Sequence, residues 1–204
     1  MALTDVFSNV AILVRWLHVI AGITWIGLLY FFNFVNVPLQ GALDDAGKKA
    51  VNPKLMPRAL WWFRWGAMVT FLAGLILFTL TYVYTPGQGF GMNELFVTED
   101  GNLSGRATWI SMGMLFGTIM WFNVWFIIWP AQKKLLSGQA GDQAAALRKR
   151  AGLTSRVNTY LSGPMLFGML APAHYGASNT LTLLIAVVLG LFAIWWAIQT
   201  SFRV

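Results

Sequence analysis

Five apolar stretches constrain this chain more than anything else in it, at roughly residues 9–36, 60–84, 107–130, 157–174 and 180–201. Each is close to or above the ~20 residues that a helix needs to cross the hydrocarbon core of a bilayer. Lipid offers no water to satisfy backbone N–H and C=O groups, so such segments fold as helices that close their hydrogen bonds internally. The expected fold is therefore all-α, a polytopic membrane bundle of about five transmembrane helices forming one integral membrane domain over residues 1–204. Composition agrees, since a chain that is 57% hydrophobic and 10% charged, with 11 Trp and 15 Phe, lies far from the soluble average.

Turn-forming residues divide the stretches. Pro38, Pro53 and Pro57 punctuate the first connection, Pro86 with Gly87, Gly89 and Gly91 opens the second, and Pro130 is expected to end the third apolar stretch. Within the third connection, Ala131–Arg156, the Ala-rich piece Asp142–Arg150 reads as a short surface helix. The last connection is only a few residues, which predicts a tight antiparallel hairpin of the fourth and fifth spans. The first stretch is too long for a signal-peptide core and no small-residue cleavage site follows it, so it is expected to remain as the first span.

The net charge of +7 raises the question of nucleic acid, but the distribution of charge argues for a topology signal instead. Lys48, Lys49, Lys54, Arg58 and Arg64 gather around the first connection, and Lys133, Lys134, Arg148, Lys149, Arg150 and Arg156 around the third. With Arg203, twelve of the fourteen basic residues fall on one side, leaving Arg15 and Arg106 opposite with Glu94, Glu99 and Asp100. The positive-inside rule makes the crowded side cytoplasmic. The expectation is a multi-pass protein of the bacterial inner membrane, N-terminus periplasmic and C-terminus cytoplasmic, whose partner is lipid and not nucleic acid.

Much chemistry is excluded. There is no Cys, hence no disulfide, thiolate metal site, iron–sulfur cluster or covalent c-type haem attachment within these residues. The spans contain no Asp or Glu for an intramembrane proton relay, and neither a phosphate-binding loop ending in Lys-Ser/Thr nor H-E-x-x-H occurs. Two histidines alone are too few for a typical catalytic zinc site.

Those two histidines, His18 and His174, are the strongest functional signal. A histidine in hydrocarbon is costly enough to be a functional hypothesis by default. On this topology His18 lies ~13 Å below the start of the first span and His174 closes the fourth, both in the outer half. Such a pair would suit the two axial positions of one b-type haem. Arg15, Gly22 and Trp25 share a helical face with His18. Gly22 would leave room for a flat macrocycle and Arg15 would reach a haem propionate. The alternative is an interhelical hydrogen bond at each histidine, with Gly22 serving helix packing and Arg15 snorkelling to headgroups.

Other polar and small positions read as structural. Asn33, Asn36, Asn123 and Asn158 are placed to bond across helices, and Gly113 with Gly117 forms a small-xxx-small packing pair. Trp61, Trp62 and Trp65 beside Arg58 and Arg64 form an interfacial aromatic belt.

Four pieces carry a family resemblance: Trp16–Asn33 (WLHVIAGITWIGLLYFFN), Trp62–Gly74 (WFRWGAMVTFLAG), Met120–Lys133 (MWFNVWFIIWPAQK) and Asn158–Met169 (NTYLSGPMLFGM), the last followed by His174-Tyr175. In this order they resemble the N-terminal membrane domain of bacterial membrane-bound urate oxidases of the cytochrome c-linked type. Members acting on urate carry a C-terminal cytochrome c domain, and no haem-attachment motif occurs in these residues. The resemblance implies a membrane-embedded electron-transfer module that passes electrons to a separate cytochrome c or a larger redox complex. Two other classes remain open: a haem-free structural subunit of a larger membrane complex, and a stand-alone oxidase of a small aromatic substrate.

Overall fold

A computed structural model describes residues 5–176 and 178–203. Helix α1 (Val6–Tyr30) starts where the Asp5 carboxylate accepts the Ser8 N–H at 3.0 Å. It passes through a π-helical segment, Phe31–Asn36, into α2 (Val37–Ala42). Helix α3 (Asp45–Phe78) is capped by Asp44 and ends in a second π segment, Thr79–Val83. A two-stranded hairpin, β1 (Tyr84–Thr85) against β2 (Gly89–Phe90), leads to α4 (Gly105–Phe122), whose cap is Ser104. A third π segment, Asn123–Ile128, joins α4 to α5 (Trp129–Leu136). Helix α6 (Ala144–His174) and α7 (Thr180–Ser201) complete the chain, α7 opening on a reciprocal Asn179–Thr182 capping box.

Prolines do not end the helices as the sequence led one to expect. Pro53 and Pro57 lie inside α3, Pro164 and Pro172 inside α6, and Pro38 and Pro130 sit within continuous helical paths, Val6–Ala42 and Gly105–Leu136. The π segments supply the reason at Pro38 and Pro130. Each proline follows such a segment by two residues, and the intervening N–H reaches back five residues, Val37 to the Phe32 carbonyl and Trp129 to the Val124 carbonyl. A widened turn just upstream lets the helix absorb a residue that cannot donate.

The third connection also differs from expectation. Asp142 and Gln143 belong to a 3₁₀ turn (Gly141–Gln143), and from Ala144 onward the expected surface helix is simply the first part of α6, which runs unbroken into the fourth span. Four helical stretches, Val6–Ala42, Asp45–Val83, Gly105–Leu136 and Thr180–Ser201, are long and apolar enough to cross a membrane. Helix α6 is long enough but more polar, and the polar side chains are turned inward: Asn158, Thr159 and Ser162 are fully buried. Large apolar side chains such as Leu13, Ile23, Leu170 and Val188 are instead exposed. Small and polar inside with large and apolar outside is the packing of helices solvated by lipid.

The helices pack antiparallel to their sequence neighbours. Gly66 of α3 meets the backbone of Ala21 and Trp25 on α1, Gly113 of α4 meets Gly168 of α6, and Gly163 of α6 meets Gly190 of α7. At the Gly113–Gly168 crossing an added Cβ would lie 2.9 Å from the opposing backbone, so the close approach requires glycine. Asparagines tie the helices at one end, as expected. The Asn33 amide donates to Ser155 Oγ at 3.0 Å, Asn123 to Asn158 at 2.7 Å, and Asn158 to the Met120 carbonyl at 2.9 Å. Asn36 instead accepts from Gln40 of its own helical path.

Two apolar clusters result. The larger, near the end that carries most Lys and Arg, joins α1, α3, α4 with its π segment, and α6 through Leu29, Phe63, Met120 and Met165. The smaller, toward the hairpin end, joins only α4, α6 and α7 through Trp109, Ala171 and Ala186. No buried apolar cluster of the described residues connects α1 and α3 to α4 and α6 at the hairpin end, where residues 6–20 of α1 are all exposed or half-buried.

Candidate functional site

His18 is fixed by α3. Its Nδ1 lies 2.9 Å from the carbonyl of Thr70, and since a carbonyl can only accept, Nδ1 carries the proton and Nε2 keeps its lone pair. Nε2 has no hydrogen-bond partner among the described residues. A backbone carbonyl holding one imidazole nitrogen is the arrangement that orients metal-ligating histidines. Gly74 makes room for the ring. A Cβ there would stand 3.0 Å from His18 Cε1 and 3.3 Å from Nδ1.

Gly66, Thr70 and Gly74, four residues apart, form the stripe of α3 that receives α1. Thr70 Oγ1 donates to the Gly66 carbonyl at 2.7 Å, which turns the threonine methyl toward Gly22 at 3.8 Å from where a Cβ would be. Gly22 thus faces α3, and the glycine beside the imidazole is Gly74 on the neighbouring helix. Trp25 is buried in the larger cluster one turn beyond Gly22, and its indole N–H has no partner.

His174 ends α6 and is exposed. With Arg106, Gly105 and Tyr175 it lines a cleft of about 450 Å³ at the hairpin end. Behind it, the Tyr175 ring packs 5.8 Å from Trp109 and 6.3 Å from Phe167. Tyr30 and Ser162 meet across α1 and α6 at 2.9 Å, and because Ser162 Oγ donates to the Thr159 carbonyl, the tyrosine hydroxyl is the donor. From that point both histidines lie toward the hairpin end, His18 twelve residues back along α1 and His174 twelve residues forward along antiparallel α6. They are not brought into one cleft, however: every residue lining the His174 cleft comes from α4 or from the end of α6 and the turn after it.

Tyr82 is buried against Phe78 and Phe96 beneath the hairpin. Thr70, Gly74 and Tyr82 were not singled out from the sequence. The small-residue spacing of Gly66, Thr70 and Gly74 was the available signal for two of them.

A helical bundle with several helices long and apolar enough to span a membrane, and with small and polar residues turned inward, defines a polytopic membrane-type helical protein. The family model of the urate oxidase N-terminal region matches residues 40–90 and 92–204, and the chain belongs to that family. No curated protein and no solved structure matches it.

Proposed function

We propose that this urate oxidase-related membrane protein holds one b-type haem between the α1–α3 pair and the α4–α6 pair at the hairpin end, and passes electrons to a separate partner. The observation that carries the reading is the Thr70 carbonyl on His18 Nδ1, which orients the ring against Gly74 and leaves Nε2 without a hydrogen-bond partner among the described residues. His174, exposed at the end of α6 beside Arg106, is the second candidate ligand. Bound haem would supply a one-electron couple at a potential set by its axial ligands and surroundings. Arg15 and Arg106 would pair with its propionates, and Tyr175, Trp109 and Phe167 would keep water from the His174 side. On the charge distribution, the hairpin end faces the periplasm of the inner membrane and the partner is a cytochrome c or a larger redox complex.

Visible spectra of the purified protein, oxidised and dithionite-reduced, test the reading. A low-spin haem spectrum is expected, with His18→Ala and His174→Ala each removing it or converting it to high spin. An unchanged low-spin spectrum in either variant excludes that ligand. Protein free of haem would instead favour a structural subunit, in which the His18–Thr70 bond serves only to tie α1 to α3. Steady urate turnover by the isolated chain would overturn the need for a separate partner.

A further inference from the structure

The basic end holds a second cavity, of about 460 Å³, which the haem reading leaves unused. Its floor is apolar, formed by Phe32, Leu60, Phe63 and Ile128. Between floor and mouth stand the buried amides of Asn33 and Asn36. At the mouth are Arg148, Lys149 and Arg156, none of which has a carboxylate partner among the described residues, Arg156 having only the ring of Phe202 at 6.0 Å. The ligand must therefore be amphipathic. A small free anion would satisfy the three cations but leave the aromatic floor bare, whereas a wholly apolar molecule would leave the cations unanswered. Depth adds a further constraint. The cavity lies where α1, α3 and α6 leave the apolar zone, flanked by the exposed Trp61, Trp62 and Trp65, which is the level of lipid headgroups.

We infer that this cavity binds the headgroup and upper acyl segment of one acidic phospholipid. Arg148, Lys149 and Arg156 hold the phosphate, Asn33 and Asn36 sit at ester depth, and the chain runs over Phe32 and Phe63. Basic pockets between membrane helices are suited to anionic headgroups, each cation being worth about 1 kcal/mol near such a surface, or roughly fivefold in affinity. Gly152 lines the same cavity and has open space where a side chain would grow, so the pocket can be blocked without altering its charge.

Native mass spectrometry of the full chain, released from nonionic detergent doped with phosphatidylglycerol or with phosphatidylcholine, provides the test. One phosphatidylglycerol should be retained in preference to phosphatidylcholine. Retention should fall on the order of a hundredfold in the Arg148→Gln, Lys149→Gln, Arg156→Gln triple variant. The exposed single change Arg148→Gln should cost roughly fivefold, and serves if the triple variant does not fold. Gly152→Phe should also lose the lipid, while Lys133→Gln with Lys134→Gln, equally basic but outside the cavity, should keep it. Four results would each overturn the proposal: equal retention of phosphatidylcholine, an equal loss in the Lys133 and Lys134 variant, full binding by Gly152→Phe, or displacement of the lipid by inorganic phosphate or urate at equal concentration.

Discussion

At the scale of single residues, glycine and asparagine do work that larger apolar side chains do in water-soluble cores. Gly74 is the sharpest case, because a methyl group there would press on the imidazole of His18 at 3.0 Å. Gly74→Ala is expected to displace the ring from Thr70 and to weaken haem retention while the helices stay folded. Haem content per protein at unchanged far-ultraviolet circular dichroism measures this, and full retention would show that the ring does not depend on that space. Asn158 is fully buried with a donor on Met120 and an acceptor for Asn123. Asn158→Leu strands both partners and should destabilise the bundle by on the order of 1 kcal/mol, the usual scale for interhelical polar contacts in membranes. Thermal unfolding in detergent reads that loss, and the haem spectrum at low temperature should be unaffected.

Among the elements, α6 is the hub, packed on α4, α5 and α7 and touching α1. Its polar, proline-containing sequence makes it the least apolar of the long helices, yet its small residues allow the closest approaches. Gly113→Val is expected to force α4 and α6 apart, since Cβ would fall 2.9 Å from the Gly168 backbone. The cleft at His174 and Arg106 should then open while the His18–Thr70 contact on the other helix pair persists. Conversion of a low-spin haem to high spin without loss of haem would report that outcome, and an unchanged spectrum would argue against His174 as a ligand. Helix lengths also matter. The 39-residue path Asp45–Val83 rises about 58 Å, well beyond a ~30 Å hydrocarbon core, so the turns bearing Lys48, Lys49 and Lys54 project past it.

For the molecule as a whole, alternating helix direction collects the Lys and Arg clusters at one end and Glu94, Glu99 and Asp100 at the other. A reporter fused after Asn93 should be periplasmic and one after Gly141 cytoplasmic, and the reverse labelling would move the proposed haem to the inner leaflet. Five helical segments, their order and the basic bias were legible in the chain because apolar length and local charge are properties of contiguous residues. The roles of Asn33, Asn123, Asn158, Gly113 and Gly117 in packing were legible for the same reason: a polar or small residue in lipid has few other uses. The positions of the prolines were not, since whether a helix stops or widens at Pro38 or Pro130 depends on the π segment upstream and on neighbours that satisfy the freed carbonyls. His18 stood out as one of two histidines in the chain, set within an apolar run. Its partner Thr70, the room that Gly74 leaves for its ring and the separation of the two histidines onto different helix pairs are relations between residues 52 or more positions apart. Only the packing of α1 on α3 and of α4 on α6 decides them, because side-chain distances across helices follow from crossing geometry and not from the order of the chain.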